Sequence, residues 1–130
     1  MNVTHKEAWH ILTEQDDILI LTHRAPDGDA VGSLCALFKV LTSLGKRVGF
    51  IIDTVPKSLA FLTEGMTSPE FEPKCVVTVD VGDKKLLGEA LEKEYGGRVL
   101  LNIDHHATNV LFAENTLLDA AAAAASEVLY

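Results

Sequence analysis

Ile18-Leu19-Ile20-Leu21-Thr22, followed at once by His23-Arg24-Ala25-Pro26-Asp27-Gly28-Asp29, is the stretch on which the reading turns. The unbroken run after Asp16-Asp17 reads as a strand buried on both faces, because a strand with one wet face would alternate with polar residues. The polar loop behind it opens a helix expected from about Asp29 to Leu44, stopped by Gly45. Outward from this unit the same order recurs. Val48 to Ile52 reads as a second strand, and Pro56 suits the first turn of a short helix ending at Gly65. Cys75 to Val79 reads as a third strand, with Asp83 capping a helix from Lys84 to Tyr95 that Gly96-Gly97 ends. Val99 to Ile103 is a fourth strand, followed by a polar loop and a helix beginning near Ala120. Upstream, Thr4-His5-Lys6-Glu7 is a capping box opening a helix with Ala8, Ile11 and Leu12 on one face. The alternation predicts an α/β fold, a mostly parallel sheet with helices on both faces.

The 130 residues suit one domain with a real core, and 48% hydrophobic against 23% charged residues is a globular balance. The net charge of −8, from 11 basic and 19 acidic residues, disfavours a long nucleic acid held by charge alone. A small anionic substrate is compatible with it if metal cations dominate the local field. No apolar run approaches the ~20 residues of a membrane span. Met1 to His10 lacks the basic-then-apolar order of a secretory signal, which makes the cytoplasm the expected compartment. Cys35 and Cys75 form no CxxC pair and read as reduced, buried thiols. Ala120 to Tyr130 is helical in propensity and ends without Gly, Asn or Pro, so the chain is expected to be cut inside a helix.

Placed on this order, the acidic and imidazole residues collect at strand ends. The first strand runs into His23, Asp27 and Asp29, the second ends at Asp53, the third at Asp80 with Asp83 behind it, and the fourth at Asp104-His105-His106. In an open parallel sheet the crevice beyond the carboxyl ends of the strands binds ligands, so these residues point to one rim. Each has a plainer reading alone. His23 could be a satisfied polar residue, Asp27-Gly28 a turn, Asp29 a helix N-cap and Asp104-His105-His106 a solvated loop. Asp53 reads as structural or peripheral. Asp80 closes an apolar strand and needs a partner. Their conjunction is explained by metal, since carboxylates with imidazoles suit Mn²⁺ or similar borderline ions, and without cations the carboxylates would repel one another. GxGxxG, the Walker lysine motif and GxSxG are absent. Gly32 reads as a close-packing glycine.

These residues carry a resemblance. Thr22 to Ser33, Val77 to Asp83 and Ile103-Asp104-His105-His106-Ala107-Thr108-Asn109 resemble, in order, the first, second and naming motifs of the DHH phosphoesterases; Ala124 to Tyr130 resembles the helix that follows. Within that family the chain looks most like the bifunctional oligoribonuclease and 3′-phosphoadenosine-5′-phosphate phosphatase type. The resemblance implies a Rossmann-like N-terminal catalytic domain over residues 1–130, with the rest of that domain and a DHHA1 domain expected beyond. It implies two Mn²⁺ ions, Mg²⁺ being the alternative. His23 and Asp27 would hold one, Asp29 and His105 the other, and Asp80 would bridge both. His106 would contact the scissile phosphate and assist the leaving group, and Asp104 would orient the histidine pair.

Arg24 and Asn109 are further candidates for substrate contact. The implied reaction converts short RNA to nucleoside 5′-monophosphates, or removes the 3′-phosphate of the bisphosphonucleoside. The expected mechanism is in-line attack by a hydroxide bridging the two metals. A homodimer is a candidate state. The alternatives are a family hydrolase of another substrate, such as a cyclic dinucleotide or pyrophosphate, and a non-catalytic nucleotide-binding module. The 130 residues alone are expected to turn over poorly, because a further ligand aspartate and the substrate-gripping domain lie outside them.

Overall fold

A computed structural model describes residues 1–52, 55, 57–106 and 108–118 of the chain. The run that opens the argument forms β1 (Ile18–Leu21), buried along its whole length. It sends Ile18 and Ile20 into one core cluster and Leu19 and Leu21 into another on the opposite face of the sheet. That two-sided burial is why the run has no polar alternation. Around β1 stand β2 (Val48–Ile51), β3 (Cys75–Val79), β4 (Val99–Asp104) and β5 (Asn115–Leu118), in the order β2-β1-β3-β4-β5, with every pairing parallel.

Helices cover both faces, as expected. α1 (His5–Glu14) and α2 (Gly28–Ser43) pack Ala8, Leu12, Leu34, Leu37, Phe38 and Leu41 against one face. Leu87 and α3 (Glu89–Tyr95) cover the other through Leu87 and Tyr95. The capping box of α1 is formed: Glu7 N–H donates to Thr4 Oγ1 at 3.1 Å, and Thr4 N–H donates to Glu7 Oε1 at 3.0 Å. Cys35 and Cys75 are free and buried, and burial pushes the Cys75 thiol up to about 11.

Several local expectations are corrected. α2 starts at Gly28, and its N-cap is Asp27, whose Oδ1 accepts from Ala30 N–H at 2.9 Å; Asp29 lies inside the first turn. The helix expected over Lys84–Tyr95 is two pieces, a 3-10 turn Lys84–Leu87 and then α3, because Gly88 between them sits at φ 92°. Only glycine takes that conformation cheaply. Lys57–Thr63, in the second crossover, is also 3-10 rather than α. The loop after β4 holds an unforeseen fifth strand. β5 offers only Leu117 and Leu118 as apolar signal, yet Thr116 and Leu117 are buried once it pairs with β4. Its outer edge is covered by the N-terminus, where Val3 N–H donates to Thr116 O and Thr116 N–H to Met1 O. Asp53, Pro56 and the helix expected from Ala120, with Glu127, lie outside the described residues.

Strand order places the functional crevice. The chain leaves β1 for β2 on one side and returns to β3 on the other, so the loops that follow β1 and β3 part at their carboxyl ends. His23 follows β1 and Asp80 follows β3.

Candidate metal centre

Asp80 is the middle of the site. It is 3% exposed, directly after β3, and adopts φ 60°, a left-handed conformation that aspartate tolerates better than most side chains. Its N–H still donates to Ile103 O at 2.8 Å, so the sheet ladder with β4 holds the strained residue in place. Beneath it the strand ends are stitched by buried polar groups. Thr22 Oγ1 donates to Val79 O, Thr78 Oγ1 to Asn102 Oδ1, and Asn102 Nδ2 to Val81 O, at 2.7–2.9 Å. Sequence reasoning passed over Thr78 and Asn102; the available signal was a polar residue inside an apolar strand.

The two oxygens of Asp80 face different histidines. Oδ2 lies 3.3 Å from His23 Nε2, and Oδ1 lies 3.3 Å from His105 Nε2. Beyond His23, Asp27 Oδ1 is 3.9 Å from the same Nε2; beyond His105, Asp29 Oδ2 is 3.5 Å from its Nε2. Ligand atoms of His23, Asp27 and Asp80 lie within 4.8 Å of one another, as do those of Asp80, Asp104, His105 and His106. Asp80 belongs to both groups.

Three observations fit these groups to cations. His23 Nδ1 is 3.0 Å from Arg24 O, a carbonyl that can only accept, so Nδ1 carries the proton. In the neutral ring Nε2 then turns a lone pair toward the Asp80 and Asp27 carboxylates, an arrangement suited to metal ligation. Asp80 Oδ1 is a buried carboxylate oxygen with no hydrogen-bond partner among the described residues. Such an atom is costly to bury without a cation. Finally, burial pushes the Asp80 carboxyl up to about 6, and Asp29 and Asp27 add to the rise against the opposing pull of His23 and His106. Neighbouring carboxylates that disfavour one another's ionisation are a site built for positive charge.

The remaining candidates fall around this centre. Asp104 has no solvent exposure; it accepts from His106 Nδ1 at 2.6 Å and from Asn109 Nδ2 at 2.8 Å. It therefore orients His106, while the His105 ring lies beside that of His106, tilted by 36° at 4.3 Å between ring centroids. Asn109, expected near substrate, has both ends of its amide engaged inside the protein: Nδ2 on Asp104, Oδ1 accepting from Leu111 N–H. Gly32 is not a packing glycine, because a Cβ added there would meet nothing within 4 Å. A cleft of about 470 Å³ opens over the centre, lined by His23, Asp27, Asp80 and His106 and also by Arg24, Lys85, Leu86, Gly88 and Glu89. Lys85 carried no signal in the sequence that set it apart from other surface lysines.

No helix among the described residues is long and apolar enough to cross a membrane. Among curated proteins, the chain is 33% identical over 118 residues to a bifunctional oligoribonuclease and PAP phosphatase NrnA of Thermus thermophilus, across 86% of this chain and 35% of that protein. It is 29% identical over 119 residues to the Bacillus subtilis protein of the same name, across 88% of this chain and 37% of that one. The chain thus spans about a third of the length of these relatives. Among solved structures, an exopolyphosphatase-related protein from Bacteroides fragilis superimposes with a TM-score of 0.83 at 23% identity, over 97% of this chain and 42% of that one, which shows the fold. Residues 17–130 match the model described as DHH family, N-terminal domain, and the chain belongs to that family.

Proposed function

We propose that this chain carries the two-metal centre of a phosphoesterase that cleaves short oligoribonucleotides to nucleoside 5′-monophosphates and removes the 3′-phosphate of 3′-phosphoadenosine 5′-phosphate. The observation that carries the reading is the division of Asp80, one oxygen toward His23 and the other toward His105. In this reading His23 and Asp27 hold one cation, Asp29 and His105 the other, and Asp80 belongs to both. The mix of imidazole and carboxylate favours Mn²⁺, with Mg²⁺ the harder alternative. Bound there, two such ions supply neutralisation of phosphoryl charge and acidification of water. The names of the relatives supply the substrates.

The chain's own side chains do the positioning. Arg24 O fixes the His23 tautomer, and the ladder bond to Ile103 O fixes Asp80. Asp104 holds His106, which lines the cleft, with Nδ1–H toward its carboxylate. A buried carboxylate in that place stabilises the imidazolium, whose Nε2–H can be handed to a departing oxygen.

The test is hydrolysis of a diribonucleotide and of 3′-phosphoadenosine 5′-phosphate by the protein bearing this chain, with Mn²⁺ present and then removed. Metal-dependent release of 5′-monophosphates, abolished in Asp80→Asn, is the expected result. Near-normal turnover by Asp80→Asn would refute the bridging role, and inertness toward both substrates would refute the substrate assignment.

A further inference from the structure

Two cationic side chains line the cleft without serving the metal centre. Arg24 and Lys85 stand with His23, Asp27, Asp80 and His106 around the same cavity, both solvent-exposed. The Lys and Arg ion pairs among the described residues use Arg47, Lys74 and Arg98 instead. Their placement is built. Arg24 N–H donates to Leu86 O at 2.7 Å, which ties the loop after β1 to the turn after β3. The Arg24 stem lies against Gly88, where an added Cβ would stand 3.5 Å from Cδ, and Gly88 is at φ 92°. Lys85 sits on that same turn, whose start Asp83 pins by accepting Lys85 N–H at 3.1 Å and whose end Gly88 closes by donating to Lys85 O.

Cations placed here oppose metal binding, since they raise the potential beside a site that must attract positive charge. They are explained if the cleft must also hold an anion at a distance from the metals. A cavity of about 470 Å³ is larger than one phosphoryl group requires and falls in the range of small-molecule sites. Arg24 offers a planar fork matched to phosphate oxygens and Lys85 a mobile point charge, the pairing that phosphate recognition commonly uses. Glu89 also lines the cleft and works against an anion.

We propose that Arg24 and Lys85 form a second phosphate subsite, so that the cleft selects substrates bearing a further phosphate beside the scissile one, a nucleoside bisphosphate or a 5′-phosphorylated dinucleotide, over esters with a single phosphate. The assignment rests on the reading that this cleft takes a phosphate ester.

The experiment is calorimetric binding of adenosine 3′,5′-bisphosphate and of adenosine 3′-monophosphate, which lacks only the second phosphate, to the Ca²⁺-loaded protein at low salt, with hydrolysis in Mn²⁺ assayed in parallel. The wild type binds the bisphosphate more tightly. Arg24→Ala and Lys85→Ala each cut that preference, by roughly tenfold for a lost charge-assisted contact. Glu89→Gln raises it, an opposite sign that general loss of fold cannot produce. Equal losses for both ligands, or no preference in the wild type, overturn the subsite. A preference that depends on Arg24 and Lys85 without any hydrolysis leaves the subsite and removes the phosphoesterase reading; hydrolysis without preference does the reverse.

Discussion

Nδ1 of His106 lies 2.6 Å from Oδ1 of Asp104, a carboxylate wholly shielded from solvent and held on its other oxygen by Asn109. The contact fixes which nitrogen of His106 faces the cleft, and it keeps a negative charge behind the ring. Asp104→Asn keeps the shape but turns an amide NH₂ toward one of the two donors, His106 Nδ1 or Asn109 Nδ2, that the carboxylate now accepts. Activity is expected to fall by about 10–100-fold, the usual effect of removing a carboxylate that orients a site histidine. The check is kcat/KM together with the NMR signal of the His106 Nδ1 proton. An unchanged kcat/KM and an unchanged proton signal would show that the contact does not orient His106.

Asp80 predicts opposite responses of fold and function. Its carboxyl is pushed up to about 6 by burial and by Asp29, above the ordinary value of 3.8. Between those values the metal-free folded state binds more protons than the unfolded one. Its stability therefore falls as pH rises through that window and stays lower above it. The contribution is on the order of 3 kcal/mol. Asp80→Asn is expected to raise the melting temperature of metal-free protein at pH 7.5 while removing most of its Mn²⁺ affinity. Adding Mn²⁺ to the wild type should stabilise it more at pH 7.5 than at pH 5. Thermal melts at both pH values read all of this, and a destabilised, Mn²⁺-responsive Asn variant would contradict it.

Asp17 predicts the acid side. Arg47 Nε lies 2.6 Å from its Oδ1 and Lys74 Nζ 3.6 Å from its Oδ2, and the Arg47 hydrogen bond holds its carboxyl below the usual range against the opposing effect of burial. A lowered folded value means a stabilising contribution that is complete above the unfolded value and is lost as pH falls through the folded one. Asp17→Asn should lower the melting temperature at pH 7 and flatten its decline toward pH 3. Parallel melting curves for the two proteins across that range would exclude the linkage.

The elements legible in the sequence share one property: their signal is local. β1 could be read because burial on both faces leaves a contiguous apolar run, and α1 because its capping box lies within four residues. His23, Asp27, Asp80 and His105 could be listed because strand ends sit at fixed places in an alternating pattern. β5 was not legible, because Asn115–Leu118 becomes a strand only through its pairing with β4 and its cover by the N-terminus. The break at Gly88 was equally hidden, since glycine before a helical run is as compatible with a fray as with φ 92°.

The sequence alone therefore determined the strand–helix alternation, the two-sided sheet and the inventory of carboxylates and imidazoles, all of which follow from periodicity and residue chemistry along the chain. Tertiary structure alone decided how that inventory is shared out. The order β2-β1-β3-β4-β5 sets the ends of β1, β3 and β4 side by side. The ladder bond from Asp80 N–H to Ile103 O then holds the carboxylate between His23 and His105. The bond from Arg24 N–H to Leu86 O brings Arg24 and Lys85 into one cleft wall. These are contacts between residues tens of positions apart, and no local pattern encodes a distance across the sheet.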